Sequence, residues 1–305
     1  MKKIPLEPTI VGAYRFLFTN IVSIIGTLWF PVLVFLAVMA ALACGLIPPN
    51  WLHGHFTPVA NPEDYLRSHL GLILLAVPVL ILAGLLTGAM IRVGILRHAL
   101  GEKTTITFIW FSLGARVWRM IAAALLYMVI YIGLQIVARL TIFIVALILA
   151  RIPQLPPVVA GLVTAVLALA AVVIGIYIVA RLFFFLPAVV VAENKVGVER
   201  AWGLGKGNVW RIVAVCIAVV LPLMPVFGVL LYVTVLSTII ATVVHHHPAG
   251  PAGPAEVVAF LKALLPMLPV VLGLYLVFAI ATVGLIYGAI GQAYKAVTAP
   301  EETAA

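Results

Sequence analysis

RMIAAALLYMVIYIGLQIVARLTIFIVALILA, residues 119–150, decides the fold. Past its opening Arg119 it holds no acid and a single base, Arg139. A helix crossing the hydrocarbon core of a bilayer needs about 20 mostly apolar residues, and this run exceeds that. Five more runs of the same kind lie at 21–47, 69–95, 157–186, 209–244 and 257–296. Backbone polar groups in lipid must be satisfied within the segment, which a helix does. The chain therefore reads as an all-α polytopic membrane protein with six transmembrane helices. Composition agrees: of 305 residues 65% are apolar and 9% charged, with a mean hydropathy of +1.28. A soluble domain carries about 25% charged residues, and a soluble globule of this make-up would expose large apolar patches. Pro31, Pro78, Pro222, Pro225, Pro266 and Pro269 fall inside the runs, and each is expected to kink or break its helix.

Charge sets the orientation. Of 18 bases, 14 fall at the N-terminus, in the second and fourth inter-span regions or at the C-terminal end, against three, Arg67, Arg151 and Lys262, on the other side. The positive-inside bias then places both termini in the cytoplasm of a multi-pass inner (plasma) membrane protein. The net charge of +9 has no soluble domain to form a basic stripe, so no nucleic-acid partner is expected. Met1-Lys2-Lys3 imitates a signal-peptide start, but Glu7, Arg15 and Asn20 interrupt the stretch after it, and no cleaved leader is read. Cys44 and Cys216 sit in apolar runs; they are not expected to pair and offer no metal spacing.

Three segments preceding odd-numbered spans, 8–24, 104–120 and 196–212, look alike. With Asn20, Arg116 and Asn208 superposed, Tyr14, Trp110 and Trp202 share a column, and Val22, Trp118 and Trp210 share another. This predicts one membrane domain, 1–305, made of three units at 8–103, 104–195 and 196–296 with a cytoplasmic tail at 297–305. Each unit is an amphipathic interfacial helix followed by a helical hairpin, with aromatic rings at headgroup level.

Arg181-Leu-Phe-Phe-Phe-Leu-Pro187-Ala-Val-Val-Val-Ala-Glu193 and Val198-Glu-Arg-Ala-Trp202-Gly-Leu-Gly-Lys-Gly-Asn208-Val-Trp210-Arg211-Ile resemble a characteristic stretch of a loose family. That family comprises the membrane domain fused to some glycerophosphodiester phosphodiesterases and stand-alone six-span inner-membrane proteins. Ala201 stands where the family usually has Ser before the Trp. The spans and their loops account for the whole sequence and leave no room for the phosphodiesterase domain, so the resemblance implies membrane placement and not phosphodiester hydrolysis.

Chemistry is sought first in buried charge, which is expensive in lipid. None of the nine acids lies mid-span, which argues against proton antiport. Arg139 does lie in a span, with Gln135 one turn earlier on the same face. It contacts an anion or lipid phosphate within the bundle, or it snorkels to the outer interface. Arg92 and Arg181, at the inner ends of the second and fourth spans, are candidate contacts for inner-leaflet phosphates or plain positive-inside anchors. Trp118, Trp202, Trp210 and Arg211 complete the candidate lipid contacts. His53, His55, His245, His246 and His247 fall on the outer side and are weak metal candidates; no metal or cofactor is expected. No nucleophile constellation or phosphate-cradling loop stands out, so no enzyme is expected. Gly84-x-x-x-Gly88 and Gly284-x-x-x-Gly288 suit close helix packing within the chain or in a homodimer. The reading is a non-enzymatic inner-membrane protein of lipid or envelope homeostasis. A small-molecule transporter or channel, or an accessory or scaffold subunit with protein partners, are the alternatives; a dry core with a lateral apolar opening favours lipid handling, and a water-wide cavity favours transport.

Overall fold

A computed structural model describes residues 2–46, 62–102, 105, 108–152, 156–245 and 268–299. Among the described residues there are helices and no strands: α1 Leu6–Leu46, α2 Pro62–Ala99, α3 Ala115–Ala150, α4 Pro157–Phe183, α5 Leu186–Glu193, α6 Val198–Gly205, α7 Val209–Val220, α8 Leu223–His245 and α9 Leu268–Thr298. Six segments are long and apolar enough to cross a membrane: Leu6–Leu46, Arg67–Ala99, Ala115–Ala150, Pro157–Glu193, Val209–Thr234 and Pro269–Thr298. The chain is a multi-pass membrane protein. The first and last described residues lie at one end of the bundle, where Lys2 Nζ donates to the Ala299 carbonyl at 2.8 Å; we call this the terminal end.

The prolines act unevenly. Pro222 falls in the break between α7 and α8, as its missing N–H requires. Pro31 and Pro78 stay inside α1 and α2, and the interruption in α1 falls instead at Asn20, with φ −115° and ψ 16°. There Asn20 donates back to the Phe16 carbonyl at 3.1 Å, and Thr19 to the Arg15 carbonyl at 2.7 Å. Such side-chain bonds compete with the helical ladder and bend it. Pro266 lies outside the described residues.

The three expected interfacial helices reduce to one. Residues 8–20 are the opening of α1 and pack lengthwise on α9, with Ala13, Phe16 and Leu17 buried. Residues 108–114 are not helical. They strap across α1 and α2: the Trp29 indole donates to the Phe108 carbonyl, Phe30 meets Phe111 edge-on at 5.9 Å, and the buried Trp110 donates to the Met90 carbonyl at 3.1 Å. Only α6 survives as a separate short helix. Lys206 and Gly207 (φ 75°) break it from α7, a left-handed step that suits glycine.

Packing is concentrated at the terminal end. Its centre is α5, in which Leu186, Ala188, Val189, Val190 and Val191 are buried, with Phe185 just before it. A helix apolar on all sides must be enclosed, and α2, α3, α4, α6 and α9 enclose it. Asn194 ends it in the left-handed region at φ 51°, and Arg119 donates to the Asn194 side chain. The outer parts of α3 and α4 differ: no residue of α3 beyond Ala123, or of α4 before Leu182, is buried.

Small residues let the elements approach closely. A Cβ on Gly288 would meet the Phe16 ring at 2.8 Å and the Ala13 carbonyl at 3.3 Å, and one on Gly284 would meet Leu17 at 2.8 Å. The Gly284/Gly288 pair is thus filled by α1 of the same chain. A Cβ on Gly205 would overlap the Arg181 carbonyl, whereas one on Gly161 meets nothing within 4 Å. Gly205→Ala and Gly288→Val should each lower the melting temperature of the detergent-solubilised protein, by about 1–3 kcal/mol of overpacking strain. Gly161→Ala should leave it unchanged or raise it slightly.

Candidate functional site

The cavity that draws three of the sequence candidates together, Arg92, Gln135 and Arg139, is a groove of about 990 Å³ between α3 and α4 on one side and α7 and α9 on the other. Its base is at the terminal end, formed by Met120, Phe184, Pro187, Ile212 and Ile290, with Arg92 reaching in from α2. The Arg92 guanidinium faces the Tyr287 hydroxyl of α9 there. From the base the groove runs along the α3–α4 hairpin to Ile142 and Ala168. On the opposite wall α7 lines it only as far as Ile217, and α9 only from Ile286 inward. Beyond that level α3 and α4 alone form the walls among the described residues, and the outer half opens to the side there.

The lining is largely aliphatic and alanine-rich, and its polar residues are Arg92 and Tyr287 at the base and a row on one face of α3. Tyr127, Tyr131, Gln135 and Arg139 all line the groove, and they recur every four residues, the spacing that stacks side chains on one helix face. Tyr127 and Tyr131 lie nearly parallel with centroids 5.8 Å apart, and Tyr127 meets Phe183 edge-on at 4.6 Å. Gln135 and Arg139 make no hydrogen bond or ion pair to the described residues. Gln135 stands midway between Arg119 and Arg151, the bases that bound the long apolar stretch of α3. At ~1.5 Å per residue, Arg139 is about 18 Å short of Arg151 along the helix. Residues 140–150, apolar except for Thr141, separate the two.

Arg92, Gln135 and Arg139 are therefore brought together, and the remaining candidates stand elsewhere. Arg181 does not line the groove. Its guanidinium lies over the Trp202 ring at 3.9 Å and donates to the Tyr177 hydroxyl at 3.0 Å. This cation–π pair, with Gly205 seated on the Arg181 carbonyl, docks α6 on the end of α4. Trp118 and Trp210 are exposed on the outside of the bundle. Arg211 donates to the Ile4 carbonyl at 2.6 Å. Beside it the buried Asn208 accepts from the Ile4 N–H at 3.0 Å and donates to the Lys2 carbonyl at 3.2 Å. Asn208 and Arg211 thus clamp the N-terminal segment. His53, His55, His246 and His247 lie outside the described residues, as does the side chain of His245 at the end of α8. Among the described residues no group of three or more metal-binding side chains occurs.

Sequence reading missed Tyr127, Tyr131 and Tyr287. The first two were open to discovery: extending the Gln135–Arg139 spacing back by two turns reaches both. Tyr287 was not, because only the fold brings α9 to Arg92.

The clamp generates a prediction. Asn208→Ala leaves the buried Ile4 N–H without its acceptor, which costs about 1–3 kcal/mol. The melting temperature should fall, and the first residues should become accessible to added protease; an unchanged digestion pattern would dismiss the clamp.

Comparison with family models, with curated proteins and with solved structures finds no match for this chain.

Proposed function

We propose that this chain is a non-enzymatic inner-membrane protein that binds membrane lipid in the groove between the α3–α4 hairpin and α7–α9, and that it serves lipid or envelope homeostasis. The observation that carries this reading is the shape and chemistry of the groove. It is apolar over most of its length, its outer half opens sideways among the described residues, and its polar groups are one row on α3 and the Arg92–Tyr287 pair at its base. A side opening admits an acyl chain without removing it from hydrocarbon. The core beneath it is packed with apolar aliphatic and aromatic side chains, which favours lipid over a water-wide solute path. The basic excess at the terminal end supports a cytoplasmic placement of both termini, so that Arg92 stands at inner-leaflet level, where a guanidinium matches phosphate oxygens.

The resemblance to the phosphodiesterase-associated membrane domain supports the membrane placement. Its residues are those of α5, which closes the terminal end, and those of α6 and the start of α7, including Trp202, Asn208 and Arg211. They build the platform on which the groove rests.

The test is lipid retention. Protein purified from its own membrane in mild detergent should carry phospholipid, detected by native mass spectrometry. Ala138→Phe combined with Ala171→Phe, two groove-lining positions, should reduce that lipid several-fold while the protein stays monodisperse. Equal retention by wild type and filled groove would remove the groove from consideration.

A further inference from the structure

Resting on the groove as a lipid site, we infer a transport activity: the Tyr127–Tyr131–Gln135–Arg139 row conducts phospholipid headgroups through the hydrocarbon, so that the protein equilibrates phospholipid between the two leaflets.

Placement is the first support. Arg119 and Arg151 bound the apolar stretch of α3 over about 48 Å at ~1.5 Å per residue, close to the ~40–45 Å of a bilayer with its headgroups. Gln135, at the midpoint, therefore stands near the middle of the hydrocarbon. Tyr127 and Tyr131 lie about 12 and 6 Å to its terminal side, and Arg139 about 6 Å to its far side. The barrier to a lipid phosphate is highest in that central layer, where its charge has no water. It is there that the groove supplies two hydroxyls, an amide and a guanidinium, about one every 6 Å. Arg92 with Tyr287 provides a matching cationic station at the entry from the terminal side.

The state of these groups is the second support. An arginine inside a span is costly and ordinarily faces a partner or a pathway. Arg139 and Gln135 have no partner among the described residues, and the run of apolar residues from Leu140 to Ala150 distances the guanidinium from the far turn at Arg151. A guanidinium offers forked donors to phosphate oxygens. The side opening is the third support: the headgroup follows the row while the acyl chains remain in the bilayer. The movement is passive and runs down whatever lipid asymmetry exists.

The full-length protein is reconstituted into phosphatidylcholine–phosphatidylglycerol vesicles containing a trace of headgroup-labelled fluorescent phospholipid, and dithionite is added outside. Protein-free vesicles lose only the outer-leaflet half of the signal; vesicles with the wild type should lose nearly all of it. Arg139→Leu and Gln135→Leu should slow the second phase by about tenfold or more, the factor expected from removing one charge-assisted hydrogen bond. Tyr127→Phe with Tyr131→Phe keeps the ring packing and should slow it too, which covers the case in which a leucine variant fails to fold. Val166→Thr, on an exposed α4 side chain outside the groove, should leave the rate unchanged. Wild-type vesicles that protect the inner half would overturn the inference; if lipid still copurifies with the protein, the groove remains a lipid site without transport. Loss of label at the wild-type rate in all the row variants would overturn the assigned path.

Discussion

The enclosure of α5 is the constraint on which the rest of the structure depends. Pro157–Glu193 is one apolar stretch, but the chain turns at Phe184–Phe185 and sends Leu186–Glu193 into the centre of the terminal end. Hydrocarbon gives apolar helices no hydrophobic reason to associate, so close packing must hold them together. A short helix of alanine and valine with buried sides supplies that packing, because it touches α2, α3, α6 and α9 at once. The remaining joints of that end lie around it: Gly288 against α1, Trp110 in the slot above Met90, Gly205 on the Arg181 carbonyl, and Asn208 with Arg211 on the N-terminal segment.

Tight packing at the terminal end contrasts with the outer parts of α3 and α4, where none of the described residues is buried. The α3–α4 hairpin is anchored by Val117, Met120, Ile121 and Ala123 at its start and by Leu182 at its return. Between these points it has no buried residue, and its inner face is free to form the wall of the groove. Of the polar row on that face only the Tyr127 and Tyr131 rings pack against aromatic neighbours; Gln135 and Arg139 hold nothing together among the described residues. Polar groups that stabilise a membrane bundle hydrogen-bond across helices; Gln135 and Arg139 do not, and this separates them from Asn208 and Arg211, whose bonds hold the fold.

Much of this was legible in the sequence. The six spans follow from run length alone. Arg139 with Gln135 followed from charge and helical spacing, and Arg92 from its place at a span end; the structure brings all three to one cavity. The losses have physical causes. A scan for runs of about 20 apolar residues cannot separate a span from a short buried helix joined to its end, so α5 was hidden behind α4. The similarity of 8–24, 104–120 and 196–212 suggested three surface helices, yet their aromatic residues meet different surroundings. Tyr14 approaches carbonyls of α7, Trp110 enters the core beneath Arg97, and Trp202 stacks on Arg181. What these positions share is an aromatic ring, and for two of them an arginine from the end of the preceding span. Composition does not reveal that pairing, because partner and ring are 13 residues apart in one case and 21 in the other.

The central claim is that the groove is a lipid site built around the polar row of α3. Electron cryomicroscopy of the protein in a bilayer nanodisc tests it most directly. The account predicts elongated density in the groove along Tyr127 to Arg139, with the strongest feature, a phosphate, beside Arg139 or Arg92. A map in which α3 and α4 close against α8 and α9, leaving no room beside Gln135 and Arg139, would contradict it.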